Sequence, residues 1–285
     1  MAIAVALAVA LALLVAACAD EAVAPESTPT PGGTLGEPTR SPTPEPLSGD
    51  ITVFAAVSLT EAFEAVAVAF KDENEATRVN FNFAGSQQLR TQLELGARAA
   101  LFAAADIRQI DLAAESGVVG GNHEIFAHNR LVAIVPKANE AGITTLQDLA
   151  NPGIKLVLAS VDVPAGNYSR RFLENASDDP EFGADYGESV LANVVSEESN
   201  VRQVAARVQL DEADAGIVFR SDVTTELAAA VTTIEIPDAL NVIADYPIAL
   251  TTDAEDVDIA EAFIEFVLGA AGQAILLEHN FIGVD

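Results

Sequence analysis

The chain has 285 residues, with 14 Lys and Arg against 43 Asp and Glu, and this net charge of −29 excludes nucleic acid as a natural partner because phosphate binding needs clustered cations. Half of the residues are hydrophobic and only 20% are charged, a composition that builds a core and is far from that of a disordered chain. One Cys and three His leave neither a disulfide framework nor a thiolate cluster, and His123 and His128 flank no second ligand at metal spacing, so neither a metal ion nor a cofactor is expected.

Residues 1–17 carry no charged side chain and run into Cys18. The segment Val15-Ala16-Ala17-Cys18 resembles a bacterial lipoprotein signal, in which the Cys becomes the lipidated first residue of the mature chain, although the basic start of a secretory signal is missing. The other reading is a membrane-spanning helix at the bottom of the spanning length. Both place the body outside the cytoplasm, held at a membrane by its N-terminus. Residues 19–49 hold seven of the 13 prolines among Thr, Ser, Gly and Glu, a stretch that buries too little apolar surface to offset its ordering entropy and reads as a disordered tether. The folded part is 50–285, long enough for two lobes.

Within it, Ile51–Ala56 is a buried-strand pattern, and from Leu59 the apolar positions Leu59, Phe63, Val66 and Phe70 recur at helical spacing. Val79–Phe83 reads as a strand and Gln87–Leu95 as a helix. Leu131–Pro136, Lys155–Ala159, Ala215–Phe219 and Tyr246–Thr251 read as further strands, with helices near 145–150, 166–175, 200–210 and 258–278. This alternation predicts an α/β fold with mostly parallel sheets, whose ligands bind where strand ends meet helix starts.

Four strand-to-helix turns therefore draw attention. Ser58, followed three residues later by Glu61, is a capping-box pattern, and Phe83-Ala84-Gly85-Ser86 repeats the order strand, small residues, Ser, helix. Val163-Pro164-Ala165-Gly166 puts Pro at a helix start, and Ser199 or Asn200 is available to cap the helix that includes Val201. Each serine has two readings open to it: a cap for its own helix, or a donor that points with the free N–H groups of the first turn at a bound anion. No Gly-x-Ser-x-Gly elbow and no obvious His base accompany the serines, so catalysis is not expected. Asp106 reads as a helix start and Asp111 as a solvated face.

Five separated segments now carry a resemblance. Ile51–Thr60, Phe83–Ser86, Asn129–Val132, Val163–Tyr168 and Ala213–Asp222, together with Asp245–Ile248 and Gly272-Gln273, are similar to the substrate-binding proteins of molybdate ABC transporters, in order over residues 50–285. The resemblance implies a two-lobed periplasmic-binding-protein fold of type II with the ligand in the cleft between lobes. Two crossings, near Asn129–Leu131 and Asp245–Tyr246, would make one lobe from 50–129 plus 246–285 and the other from 130–245. It also implies capture of molybdate or tungstate by the hydroxyls and N–H groups of Ser58 and Ser86 and the N–H groups of Ala165 and Val201, and delivery by a monomer to a membrane permease and ATPase. Another small oxyanion such as sulfate, or a ligand-free sensor on the same fold, are the alternatives.

The chain departs from the family at three places. Phe219 stands where the family usually has a tyrosine whose hydroxyl completes the oxyanion shell, Arg220 replaces a small residue, and Arg98 and Ala100 replace a turn proline and a carboxylate. Strand alternation turns Arg220 away from Phe219 and into solvent. Tyr168, in a helix first turn, is expected to pack its ring against the sheet.

Overall fold

The computed structural model describes residues 46–284; the segment read as a lipoprotein signal, Cys18 and nearly all of the segment read as a tether lie outside the described residues. Two five-stranded sheets organise the chain. The first holds β1 (Gly49–Ala56), β2 (Thr77–Ala84), β3 (Leu101–Ala103) and β4 (Glu124–Asn129). The second holds β5 (Leu131–Pro136), β6 (Leu156–Ala159), β7 (Val194–Glu198), β8 (Ala215–Phe219) and β9 (Val231–Glu235), after which β10 (Ala244–Leu250) rejoins the first. Helices α1 (Thr60–Glu73), α2 (Ser86–Glu94), α3 (Ile107–Glu115), α8 (Val257–Leu268) and α9 (Ala270–Glu278) cover the first sheet, and α4 (Pro164–Asp178), α5 (Tyr186–Ala192), α6 (Val201–Gln209) and α7 (Thr225–Ala230) belong with the second.

The strand orders, β2-β1-β3-β10-β4 and β7-β6-β8-β5-β9, are counterparts of each other. The expectation of mostly parallel sheets holds by strand direction, with β10 and β5 each running against the other strands of its sheet. β1 pairs in parallel with β2 and β3, and β6 with β7 and β8, but β10 and β5 are antiparallel to both of their neighbours. The cause is the route of the chain. β4 leaves the first sheet at Asn129, and β10 enters beside it at Ala244, directly paired with Asn129, so the two must run in opposite directions.

The apolar stripe expected of the first helix is realised: Leu59, Phe63, Val66 and Phe70 are all buried. They meet an aromatic cluster in which Phe63 lies 5.4 Å from Phe126 and Phe70 lies 5.4 Å, edge-on, from Phe263. The helix expected over 258–278 is two helices. Gly269, extended at ψ 166°, ends α8 and starts α9, and the pair is bent by 61°. The helix expected near 145–150 is a single 3-10 turn, Gln147–Ala150.

Candidate functional site

One cavity between the two sheets is lined by Ser58, Ser86, Ala165, Val201 and Phe219, the five residues singled out from the sequence. It is small and partly open to solvent, and its other walls are Ala56, Val57, Ala84, Gly85, Ala105, Val163, Pro164 and Asn200. No charged side chain is among the lining residues.

Four helix starts converge here, and each leaves backbone N–H groups without intrahelical acceptors. At α2 the extended Gly85 precedes the helix and donates its own N–H to Gln88 Oε1 at 3.1 Å, leaving those of Ser86 and Gln87. At α4 the first residue is Pro164, which has no N–H, so Ala165 and Gly166 present the first ones. At α6 the Asn200 side chain accepts from the Gln203 N–H at 3.1 Å, and those of Val201 and Arg202 are left. The fourth start is the 3-10 turn Val57–Leu59 that leads into α1. The positive ends of these helix dipoles face one small volume, so an anion is favoured there although the whole chain is strongly negative.

Two glycines make the convergence possible. A Cβ on Gly166 would sit 2.0 Å from the Ser160 carbonyl oxygen and 2.3 Å from that of Ala159, so α4 starts hard against the end of β6. A Cβ on Gly85 would meet the Ser199 carbonyl oxygen at 2.8 Å, which is where the two lobes touch. Other contacts close the cavity: Gln87 Nε2 donates to Ser199 O at 2.7 Å, and Gln109 Nε2 to Asp162 O at 3.1 Å.

The capping-box expectation for Ser58 and Glu61 is corrected. The Ser58 side chain caps nothing; its Oγ lies 3.0 Å from the hydroxyl of Tyr246. Glu61 instead takes a two-pronged contact from Arg202, whose Nε also donates to Asp222 Oδ1 at 3.1 Å. Burial alone would raise the Glu61 pKa, but the hydrogen bonds and charge of Arg202 outweigh it and hold the carboxyl below its ordinary range. Asp222 is fully buried, and desolvation pushes it up to about 6 against the pull of Arg202 and of the Phe219 N–H. Ser86 is not a cap either: it is the first residue of α2, and its Oγ accepts from the Ala105 N–H at 3.0 Å.

The remaining residues separate plainly. Phe219 is buried, edge-on to Tyr168 at 6.1 Å and to Tyr246 at 5.7 Å. Tyr168 packs its ring as expected and is not part of the lining. Arg220 pairs with Glu235 on β9 and Arg98 with Glu255, both at the surface and away from the cavity. Asp106 caps α3 through the Gln109 N–H at 2.9 Å, and burial raises its pKa to about 6. Asp111 is exposed. Sequence reasoning missed Asn129 and Tyr246 as parts of the site. Both are fully buried, and Asn129 Nδ2 donates to Tyr246 Oη at 3.2 Å and to Ser221 Oγ at 2.9 Å. Both fall in segments that carry the family resemblance, but no local pattern shows their role here, because each acts on partners far along the chain.

Residues 51–282 match the family model described as bacterial extracellular solute-binding protein. The chain belongs to this family. Among curated proteins, this solute-binding protein is 37% identical over 231 residues to the molybdate-binding protein ModA of Mycobacterium tuberculosis (strain ATCC 25618 / H37Rv), covering 81% of this chain and 84% of that one. It is 30% identical over 240 residues to the molybdate-binding protein ModA of Escherichia coli (strain K12), covering 82% and 89%. Among solved structures, the Azotobacter vinelandii periplasmic molybdate-binding protein superposes with a TM-score of 0.70 at 18% identity, over 82% of this chain and all of that one, a likeness of fold.

Proposed function

We propose that this solute-binding protein captures molybdate or tungstate in the cavity between its lobes and delivers it to an ABC importer. The observation that carries the reading is the convergence of Ser58, Ser86, Ala165, Val201 and Phe219 on one cavity with no charged lining residue. Such a wall holds a dianion by hydroxyl and backbone donors alone, and the names of the curated relatives favour molybdate among the small oxyanions. In this reading one lobe comprises 50–129 with 246–285 and the other 130–245, and the protein works as a monomer, tethered through 19–49 to a lipid on Cys18 outside the cytoplasm.

Calorimetry against molybdate, tungstate, sulfate and phosphate tests it. Molybdate or tungstate should bind most tightly, and the double variant Ser58→Ala with Ser86→Ala should lose several kcal/mol of binding, since a hydrogen bond to a charged group contributes about 1.5–3 kcal/mol. Unchanged affinity in the double variant, or a preference for sulfate, would refute the assignment.

A further inference from the structure

We propose that Asn129 and Tyr246 are positioning residues for the oxyanion site, forming a one-way hydrogen-bond relay that holds the proton of the Ser58 hydroxyl toward the cavity. The proposal deepens the functional reading above and rests on it. The direction follows from the donor inventory. Asn129 Oδ1 accepts from the Arg130 N–H at 2.9 Å, which fixes the amide so that its NH₂ faces Ser221 Oγ and Tyr246 Oη. An amide nitrogen only donates, so Tyr246 Oη is an acceptor toward Asn129.

The single phenol proton then has Ser58 Oγ, 3.0 Å away, as its one acceptor among the described residues. The opposite orientation, with Ser58 donating to Tyr246, would strand that proton at a fully buried position, where an unmade hydrogen bond is costly. Burial also raises the Tyr246 pKa well above its ordinary value, so the proton stays on the phenol at any working pH. With Tyr246 donating to it, Ser58 turns its own proton outward. Ser86 is set the same way by the Ala105 N–H.

Both hydroxyls of the cavity thus present protons, which suits a ligand that only accepts. The relay is anchored where the chain passes between lobes: Asn129 ends β4, and its register partner Ala244 begins β10, two residues before Tyr246. Sequence departures sharpen its importance, because Phe219 brings no hydroxyl and Ser58 and Ser86 carry the only hydroxyls among the lining residues.

The test is Tyr246→Phe in the full chain, with calorimetry against molybdate, which carries no proton at neutral pH, and hydrogen phosphate, which carries one. Without the phenol nothing holds the Ser58 proton outward, so molybdate should bind about three- to thirtyfold more weakly, while hydrogen phosphate, whose own proton can be donated to a reoriented Ser58, is unaffected or gains. Unchanged molybdate affinity, or losses by the same factor for both anions, would overturn the relay. A ligand-free control separates its failure from that of the functional reading. In thermal unfolding, Ser58→Ala should destabilise the parent more than it does the Tyr246→Phe background, because only the parent leaves a phenol proton without an acceptor. Strictly additive effects overturn the relay whether or not an oxyanion binds, whereas coupling in a protein that binds none of the oxyanions overturns the functional reading alone.

Discussion

Adding one methyl group to Gly166 tests whether the cavity depends on how closely α4 abuts β6. The new Cβ would lie 2.0 Å from Ser160 O, 2.3 Å from Ala159 O and 2.7 Å from the Ala159 carbonyl carbon, all backbone atoms with no flexible side-chain end to swing away. Relief to an ordinary contact beyond about 3 Å requires the helix start to retreat by about 1 Å, and overpacking of this kind costs about 1–3 kcal/mol. For a domain of this size that lowers the melting temperature by about 2–4 °C per kcal/mol. The larger effect falls on the ligand. Ala165 is the residue before Gly166, and an N–H contact of about 2.9 Å lengthened by 1 Å is no longer a hydrogen bond. Losing one bond to a charged ligand costs about 1.5–3 kcal/mol, so Gly166→Ala should bind molybdate about ten- to a hundredfold more weakly by calorimetry. Gly120→Ala, where a Cβ meets nothing within 4 Å, is the control and should leave both quantities unchanged. Full affinity in Gly166→Ala would show that the first turn of α4 does not contact the ligand.

Three further outcomes are expected. Phe219→Tyr keeps the edge-on packing against Tyr168 and Tyr246 and adds a donor at the cavity wall, so calorimetry should show molybdate binding up to about ten- to a hundredfold tighter with little change in ligand-free melting; equal or poorer binding would place the ring edge away from the ligand. Asp106 is raised to about 6 by burial, so its contribution to stability is complete below about pH 4 and is lost as pH rises through 6. Asp106→Asn, which can still accept from the Gln109 N–H, should therefore be more stable than the parent at pH 7–8, by up to about 3 kcal/mol, with the gap closing between pH 6 and 4 in denaturant titrations. A gap independent of pH would refute this. Cys18→Ser should release the protein from the membrane fraction or leave an unprocessed precursor, and an unmodified Cys18 thiol on the mature parent, seen by mass spectrometry, would contradict the anchor.

What the sequence determined by itself is local. Six of the strands and the main helix starts are legible because a run such as Ile51–Ala56 or Leu131–Pro136 and the small-residue turns after it depend on neighbours a few positions away. β3 escaped because three residues are too short to show a period, and β9 because, on a sheet edge, it carries mixed burial and little apolar signal. The four turns of the site were found one at a time, from residue types that suit a helix start. Only the tertiary structure decided that they share one cavity, since periodicity reports which face an element buries and not which elements become neighbours. It also decided what each polar group does. Ser58 and Glu61 carry a sound local capping pattern, yet Ser58 meets Tyr246, 188 positions away, and Glu61 meets Arg202, 141 positions away. In a buried cleft those distant donors compete with the helix end, and satisfying Tyr246 and Arg202 there outweighs a cap that solvent or backbone can replace.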